Sequence, residues 1–378
     1  MARPTKALIS KSAIIHNFNV VQQFAPHSKN LAVVKANAYG HGSVVVANIL
    51  SPYVNAFGVS CIEEALEIRA AGVDKPILLL EGVFSKDEIA VAAENNFWIM
   101  ISNQQQACWL IDSTISKAIN VWLKIDTGMH RLGLIPDDVT EVYTKLYNSK
   151  NVNEGIVLAT HFSSADEQDN DDTSIQIQRF KQVESSLHNH LNNDVNIPRS
   201  LANSAAIMAW PDSRLEWNRP GFMLYGNSPL DSDANTTANS EASTDTSLAL
   251  KPAMTMQSEI ISIRTIESGE SVGYNKVWTA KRQSKIATVA IGYGDGYPQS
   301  AQSGTPTLVN GVIAPLAGKV SMDMVTIDVT DISSVSVGDT VILWGDGLSV
   351  NEVAKHANTT GYEILARLPN RTPTIVVE

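Results

Sequence analysis

The chain has 378 residues, 44% of them hydrophobic, enough for two or three globular domains and unlike a disordered or fibrous composition. Lys plus Arg number 28 against 39 Asp plus Glu, a formal charge of −11, so nothing in the balance draws the protein to nucleic acid or anionic lipid. The opening MARPTKALISKSAI has no apolar core of signal-peptide length, and no later run spans a bilayer. Cys61 and Cys108 lack a metal spacing and read as buried thiols in a reducing compartment, so a cytoplasmic protein is expected.

Residues 1–11 are expected to carry a strand that packs on the C-terminal domain. From 12 to 230, eight short apolar, β-branched runs follow one another: LAVVKA (31–36), AFGVSC (56–61), PILLLE (76–81), FWIMIS (97–102), NVWLKID (120–126), GIVLATH (155–161), RSLANS (199–204) and LEWNRPG (215–221). Stretches with helical periodicity separate them, such as 62–71, where Ala65, Leu66 and Ile68 are assigned to one face. Strands alternating with helices imply parallel pairing, and eight such units predict a closed (β/α)8 barrel. RSLANS and LEWNRPG are polar for barrel strands and are its weakest members.

LAVVKANAYGHG (31–42) ends an apolar run on a lysine. The Lys35 ammonium either escapes to solvent or points into a cleft, where desolvation makes it a usable amine. The barrel shifts this balance, because chemistry in such folds sits at the C-terminal ends of the strands. Lys35 closes the first strand, Arg131 follows the fifth, His161 closes the sixth, Ser204 the seventh, and Arg219 with Gly221 the eighth. Phosphate sites favour the loops after the last two strands, where Ser204 and the backbone around Gly221 offer donors. A lysine facing a phosphate site suggests pyridoxal phosphate, which the amine binds as an imine. Arg219 is then the partner of the pyridine nitrogen. Since arginine gives up its proton reluctantly, the ring stays unprotonated and is a weak electron sink, suited to moving one proton.

Residues 231–247 (DSDANTTANSEASTDTS) read as a solvated linker or insertion loop. From 248 to 378 the pattern is β-rich: MTMQSEIISIRTI alternates, KIATVAIGYGDGY runs into a glycine-rich turn, MVTIDV and TVILW read as strands, SVNE (349–352) opens a helix with capping-box spacing, and RTPTIVV closes as a strand. GYGDGY (292–297) lacks the context of a dinucleotide fingerprint and reads as a plain turn. His188 and His190 read as a solvated face. No Cys, His and carboxylate cluster has metal-ligand spacing.

AVVKANAYGHG, LKIDTGMHRLG, THFSSAD, NSAA, RPGFMLYG, SVGYNKVW, IGYGDGY and SMDM, in this order, resemble bacterial alanine racemases from about residue 5 to the C-terminus. The resemblance implies a pyridoxal 5'-phosphate barrel followed by a mainly-β domain, working as a homodimer with shared sites. It also implies interconversion of L- and D-alanine by two bases, supplying D-alanine for peptidoglycan. It makes Lys35 the imine-forming residue and base for the D-enantiomer, and Tyr274 the base for the L-enantiomer. Arg131 resembles the residue at the cofactor phenolate and the substrate carboxylate. Met322 looks like its backbone partner there, with Asp323 beside it. Tyr39, Ser204, Gly221 and Tyr362 match phosphate positions, and Arg219 the ring-nitrogen partner. His161 matches a residue linking Arg219 to Tyr274. Lys124 aligns with a lysine carbamylated in some members, and Tyr293 looks like part of the gate.

Racemisation independently requires two groups flanking one carbon, since a proton leaves one face and returns on the other. The chain departs from the family pattern at His130, where a glycine is frequent, and at the 231–247 insertion. A broader amino-acid racemase, taking serine, differs only in pocket size beyond the substrate methyl. A non-catalytic pyridoxal-phosphate carrier would need neither SVGY nor SMDM.

Overall fold

The computed structural model describes residues 3–191, 195–230 and 248–378. The polar loop expected at 231–247 lies outside them.

The first strand, β1 (Lys6–Ser10), belongs to the second domain's sheet: it runs parallel to Thr374–Val377 and antiparallel to Met254–Ile266. Ser10 then turns the chain, its Oγ accepting from Ala13 N at 3.1 Å as the N-cap of helix Lys11–Phe24. The barrel comprises β2 (Lys29–Val33), β3 (Ala56–Val59), β4 (Ile77–Leu79), β5 (Phe97–Ile101), β6 (Val121–Lys124), β7 (Val157–Ala159), β8 (Arg199–Ser200) and β9 (Trp217–Asn218). From β2 to β8 each pairs in parallel with the next, and β9 pairs in parallel with β2, which leaves a seam between β8 and β9.

These strands are buried on both faces, which is why they read as continuous apolar runs. Their alternation sorts side chains into two cores. Ala32, Val34, Phe57, Val59, Ile77, Leu79, Ile99 and Leu123 point outward to the helices. Leu31, Val33, Ala56, Leu78, Met100, Trp122, Val157, Ala159 and Trp217 fill the interior. Trp98 and Trp122 meet the Trp217 ring edge-on, with centroids 5.6 and 5.5 Å away, so the barrel is a packed core rather than a pore. The polar strands β8 and β9 are only two residues long, and side chains close the seam between them. Arg199 grips Glu216 through Nε at 2.9 Å and Nη2 at 2.7 Å, while Arg219 N donates to Ala202 O at 3.0 Å.

The second domain is an eight-stranded sheet crossed by the long strand Met254–Ile266. Met254, Met256, Ser258 and Ile260 are buried in alternation. A register shift after Ile260 then hands the strand from Thr340–Trp344 to Ser284–Val289. Buried Asn17 on the first helix ties this domain to the barrel: its Nδ2 donates to Leu224 O and Lys251 O, and its Oδ1 accepts from Lys251 N. Helix Gly361–Ala366 docks on the barrel mouth, where the Tyr362 ring stacks on Phe222 at 3.7 Å.

Three local readings are corrected. In helix Ile62–Ala70, Ile62, Ala65 and Ile68 are buried but Leu66 is exposed, because adjacent residues stand about 100° apart on a helix. Cys108 is exposed, since helix Gln104–Ile111 buries its Gln106, Ala107 and Leu110 face instead. Ser349 caps helix Val350–His356 through Asn351 N, and Glu352 turns to Lys355 and His356 rather than closing a capping box.

Candidate active site

Strand parity builds the site. Inward residues recur every second position, so continuing Leu31 and Val33 gives Lys35, Trp122 gives Lys124, Val157 and Ala159 give His161, and Trp217 gives Arg219. The apolar interior thus ends in a polar layer at the C-terminal mouth. The mutual charge interactions of Lys35, Lys124, Arg131, Arg219 and His161 agree with this convergence.

Arg219 is buried and held by four oxygens at the ends of β7 and β8. Its Nη1 donates to Ser200 O (2.8 Å) and Ser200 Oγ (2.6 Å), and its Nη2 to Thr160 O (2.6 Å) and Leu201 O (3.0 Å). Nη2 also lies 3.5 Å from His161 Nδ1. Since arginine only donates, Nδ1 is the acceptor and the imidazole keeps its proton on Nε2. Burial lowers the Arg219 pKa to about 10, so it remains a cation at neutral pH. Burial, and then the charges of Arg219, Lys124, Arg131 and Lys35, push His161 well below its ordinary value and keep it neutral. Burial and the cations Arg219, Arg131 and Lys35 likewise bring the Lys124 pKa down to about 8, with Asp126 opposing.

The phosphate-site residues also meet. Ser204 Oγ accepts from Gly221 N at 2.9 Å and Met223 N at 3.4 Å, which leaves its own proton free to donate outward. A Cβ on Gly221 would lie 3.0 Å from the Tyr39 hydroxyl, so only glycine leaves this approach open. The Tyr39 ring lies 6.1 Å from that of Tyr362, and burial raises its phenol to about 12. These features fit an anionic, planar cofactor. Hydroxyls and a glycine backbone stand at one end, and among the described residues Arg219 Nε has no acceptor, which leaves it for a ring nitrogen.

The strand before Lys35 ends at Val33, not at Lys35. Ala36, Asn37, Ala38 and Tyr39 then form a left-handed turn with φ of 52°, 53°, 52° and 51°. L-residues pay about 1–2 kcal/mol each for this conformation, so the surroundings must over-determine it. Glu64 and His41 clasp its two ends. Glu64 Oε1 accepts from Ala36 N at 2.7 Å, and His41 Nδ1 donates to Ala38 O (3.0 Å) and Tyr39 O (2.9 Å). Burial lowers His41 to about 4 and keeps it neutral. His130, at the family's frequent glycine position, has φ of 54°; its N and Nδ1 both bind the Asp126 carboxylate at 3.0 Å, fixing the turn before Arg131.

The second domain's residues are not joined to this cluster. Tyr274 is 67% exposed and Met322 53% exposed, and among the described residues neither contacts Lys35 or His161. Met322 lies against the turn of Tyr293, whose N donates to Ser321 O, while Gly294 N donates to Met322 O. A Cβ on Gly292 would lie 2.2 Å from Ser321 O, so the GYGDGY turn holds the SMDM turn by backbone contact. Buried Asp295 locks both: its carboxylate accepts from Gly292 N (2.9 Å), Arg3 (2.7 Å) and Arg371 Nε (2.8 Å), and Arg371 also holds Asp323 at 2.6 Å. Glu64, His41, Asp126, Asp295, Arg3 and Arg371 were missed in the sequence. Only Asp295 carried a signal there, as a lone charge inside a glycine-rich turn.

Fold and site together define a lysine-centred α/β-barrel enzyme with an appended β-rich domain. Residues 9–229 match the family model for the alanine racemase N-terminal domain, and 253–376 that for the C-terminal domain. An alanine racemase of Actinobacillus succinogenes is 45% identical over all of this chain and 99% of its own length. The crystal structure of a biosynthetic alanine racemase from Pseudomonas aeruginosa superposes with a TM-score of 0.91 at 41% identity, covering both chains fully. That of alanine racemase from Acinetobacter baumannii gives 0.89 at 40%, covering 99% of this chain and all of the other. The chain belongs to the alanine racemase family.

Proposed function

We propose that this protein interconverts L- and D-alanine with pyridoxal 5'-phosphate, as a homodimer whose sites combine the barrel of one subunit with the β-rich domain of the other. The observation that carries the reading is the barrel's top layer, where the Lys35 amine stands with Lys124, Arg131 and Arg219 beside a neutral imidazole. The cofactor, when bound, withdraws electrons from the α-carbon and acidifies its proton. Ser204, Gly221, Tyr39 and Tyr362 would hold its phosphate, and Lys35 would bind its carbonyl carbon. Arg219 would donate to the ring nitrogen without protonating it, which would limit electron withdrawal to what loss of a proton requires and disfavour loss of carbon dioxide.

Arg131 and the Met322 backbone fix the substrate carboxylate. Lys35 removes or returns the proton on the D face, and the partner's Tyr274 does so on the L face. His161 Nε2–H, polarised by Arg219 at Nδ1, donates to the tyrosine oxygen when its proton has left. Tyr293 narrows the entrance, and Asp323, held by Arg371, keeps the Met322 turn in place.

No helix among the described residues is long and apolar enough to cross a membrane. We assign the protein to the cytoplasm, where it would supply D-alanine for peptidoglycan. The domain division that fits these roles is a strand at 1–11, a barrel at 12–230, a loop at 231–247 and a β-rich unit at 248–378. The test is to incubate the cofactor-loaded protein separately with L-alanine and D-alanine. Both rotations should decay to zero, whereas persistent rotation from either enantiomer refutes the proposal. Running L-serine in parallel measures how far the pocket accepts a side chain larger than methyl.

A further inference from the structure

The two peptide groups that flank Lys35 are held by different means. Val34 O, on the strand side, accepts from Ala38 N at 2.8 Å inside the left-handed turn. Ala36 N, on the other side, is the turn's first donor and among the described residues has no backbone acceptor, because the turn's own bonds begin later, at Ala38 N, Gly40 N and Gly42 N. Glu64 meets this need. One carboxylate oxygen accepts from Ala36 N at 2.7 Å and the other from Ser60 N at 2.8 Å. Ser60 follows β3, and Glu64 stands on helix Ile62–Ala70, which is anchored by buried Ile62, Ala65 and Ile68. A rigid helix thus clamps together the ends of two adjacent barrel strands, and the residue beside one jaw is Lys35.

We propose that Glu64 is a positioning residue for the Lys35 amine: its bridge from Ala36 N to Ser60 N holds the strained turn so that the amine reaches the substrate's D face. Ala36 to Tyr39 would otherwise relax towards negative φ, rotating the chain directly after Lys35. The clamp acts on the lysine and leaves the tyrosine side alone, so its loss has a one-sided signature. The inference rests on the proposed role of Lys35 as the D-face base, and the test separates the two.

Glu64→Ala and Glu64→Gln are compared with the parent protein in three measurements. Borohydride trapping of the cofactor-loaded parent should label the peptide containing Lys35; a label elsewhere defeats the underlying reading of Lys35, whatever Glu64 does. Amide hydrogen exchange in the cofactor-free protein should then rise by roughly tenfold or more at Ala36 in Glu64→Ala, as expected for a donor that has lost a charged acceptor. The third measurement uses C2-deuterated alanines. The two enantiomers have an equilibrium constant of one, so kcat/KM must fall equally in both directions, by roughly 10- to 100-fold for a displaced reacting group. Only the isotope effects tell which proton transfer has slowed. That on D-alanine should rise towards its full value, while that on L-alanine falls towards unity.

Glu64→Gln keeps one acceptor oxygen for two donors and should give the same asymmetry at smaller size, which serves if Glu64→Ala fails to fold. Isotope effects that stay balanced, or Ala36 protection equal to the parent's, overturn the proposal.

Discussion

The barrel mouth and the turn surface of the second domain hold their chemistry in opposite ways. In the barrel, Lys35, Lys124, His161 and Arg219 are the next inward positions, at or just past the strand ends, after Val33, Trp122, Ala159 and Trp217, so a packed core aims them. In the second domain, Tyr274 and Met322 ride on short turns and are mostly exposed, and the Met322 turn is kept in place by glycine backbones and the Asp295 carboxylate. In the proposed function, the barrel mouth, where Lys124 and Arg219 are buried beside the half-buried Lys35, is half of a racemase site. The exposed Tyr274 and the Met322 turn are, in that proposal, the other half. In that proposal each chain would present a donor surface for one site and a receiving mouth for another.

The sharpest way to break this comparison is subunit exchange. If Lys35 and Tyr274 are the two bases proposed above, Lys35→Ala and Tyr274→Phe should each lower activity by roughly 10²-fold or more. When the two inactive proteins are mixed and allowed to exchange, half the dimers are mixed. Each mixed dimer then has one site with both lesions and one with neither, so about a quarter of all sites should regain activity. Continued inactivity after exchange has been verified by mass means that each site is built within one chain.

Asp295→Ala attacks the second region alone. It strands Arg3 and Arg371 beside Gly292 N, and should cost roughly 2–3 kcal/mol, below the range for a fully buried pair because both arginines are part-exposed. The Met322 turn should slacken with it, so KM for alanine should rise several-fold while cofactor affinity stays put. Equal loss of both would tie Asp295 to the barrel instead.

The two regions also differ in how far they could be read from sequence. All eight barrel strands were legible, since burial on both faces leaves unbroken apolar runs. The polar RSLANS and LEWNRPG were marginal because Arg219 and the Arg199–Glu216 pair do the work of a ladder there. Convergence of the site followed from strand-end position. The left-handed turn was not legible: Ala36, Asn37, Ala38 and Tyr39 carry no glycine, and their local preference opposes the conformation that Glu64 and His41 impose. GYGDGY was read as a plain turn, and its contact with SMDM depends on residues some thirty positions apart. Tertiary contacts of this kind leave no periodicity in the chain.

The barrel's cation cluster makes a pH prediction. The Lys124 pKa is lowered from 10.5 to about 8 by burial and then by Arg219, Arg131 and Lys35. A lowered lysine pKa means that the unfolded chain binds the extra proton between about pH 8 and 10.5, so stability rises with pH across that window. In cofactor-free, bicarbonate-free protein, Lys124→Met should therefore be more stable than the parent below pH 8, by on the order of 2–3 kcal/mol. That gain should fade towards pH 10.5 in denaturant titrations. A gain that is flat with pH would mean that Lys124 pays no charge penalty. The depressed pKa also keeps a fraction of neutral amine, the form that takes up carbon dioxide. Added bicarbonate should stabilise the parent and leave Lys124→Met unchanged if the lysine becomes a carbamate among these arginines.

The smallest effect is expected at His130, where two terms of opposite sign nearly cancel. Its φ of 54° is a conformation that glycine adopts freely, so His130→Gly removes strain on the order of 1 kcal/mol. The same change costs unfolded-chain entropy of similar size, because glycine has more states to lose. It also deletes the Nδ1 bond to Asp126, while the backbone N bond at 3.0 Å survives. The imidazole is 79% exposed, so that lost bond is worth little in water. Melting temperature should therefore shift by no more than about 2 °C, given that roughly 1 kcal/mol moves a protein of this size by a few degrees. Asp126 is where a difference should be read. Burial raises its pKa, but the bonds from His130 N, Gly128 N and the His130 ring outweigh burial and hold it below the ordinary carboxylate value. Stability from a depressed carboxylate is present above its unfolded pKa and lost as pH falls through the folded one. The glycine variant, lacking the ring, should lose that contribution at a slightly higher pH than the parent. Indistinguishable acid transitions would mean that the backbone donors alone hold Asp126, and that histidine at the family's glycine position shapes only the approach to Arg131.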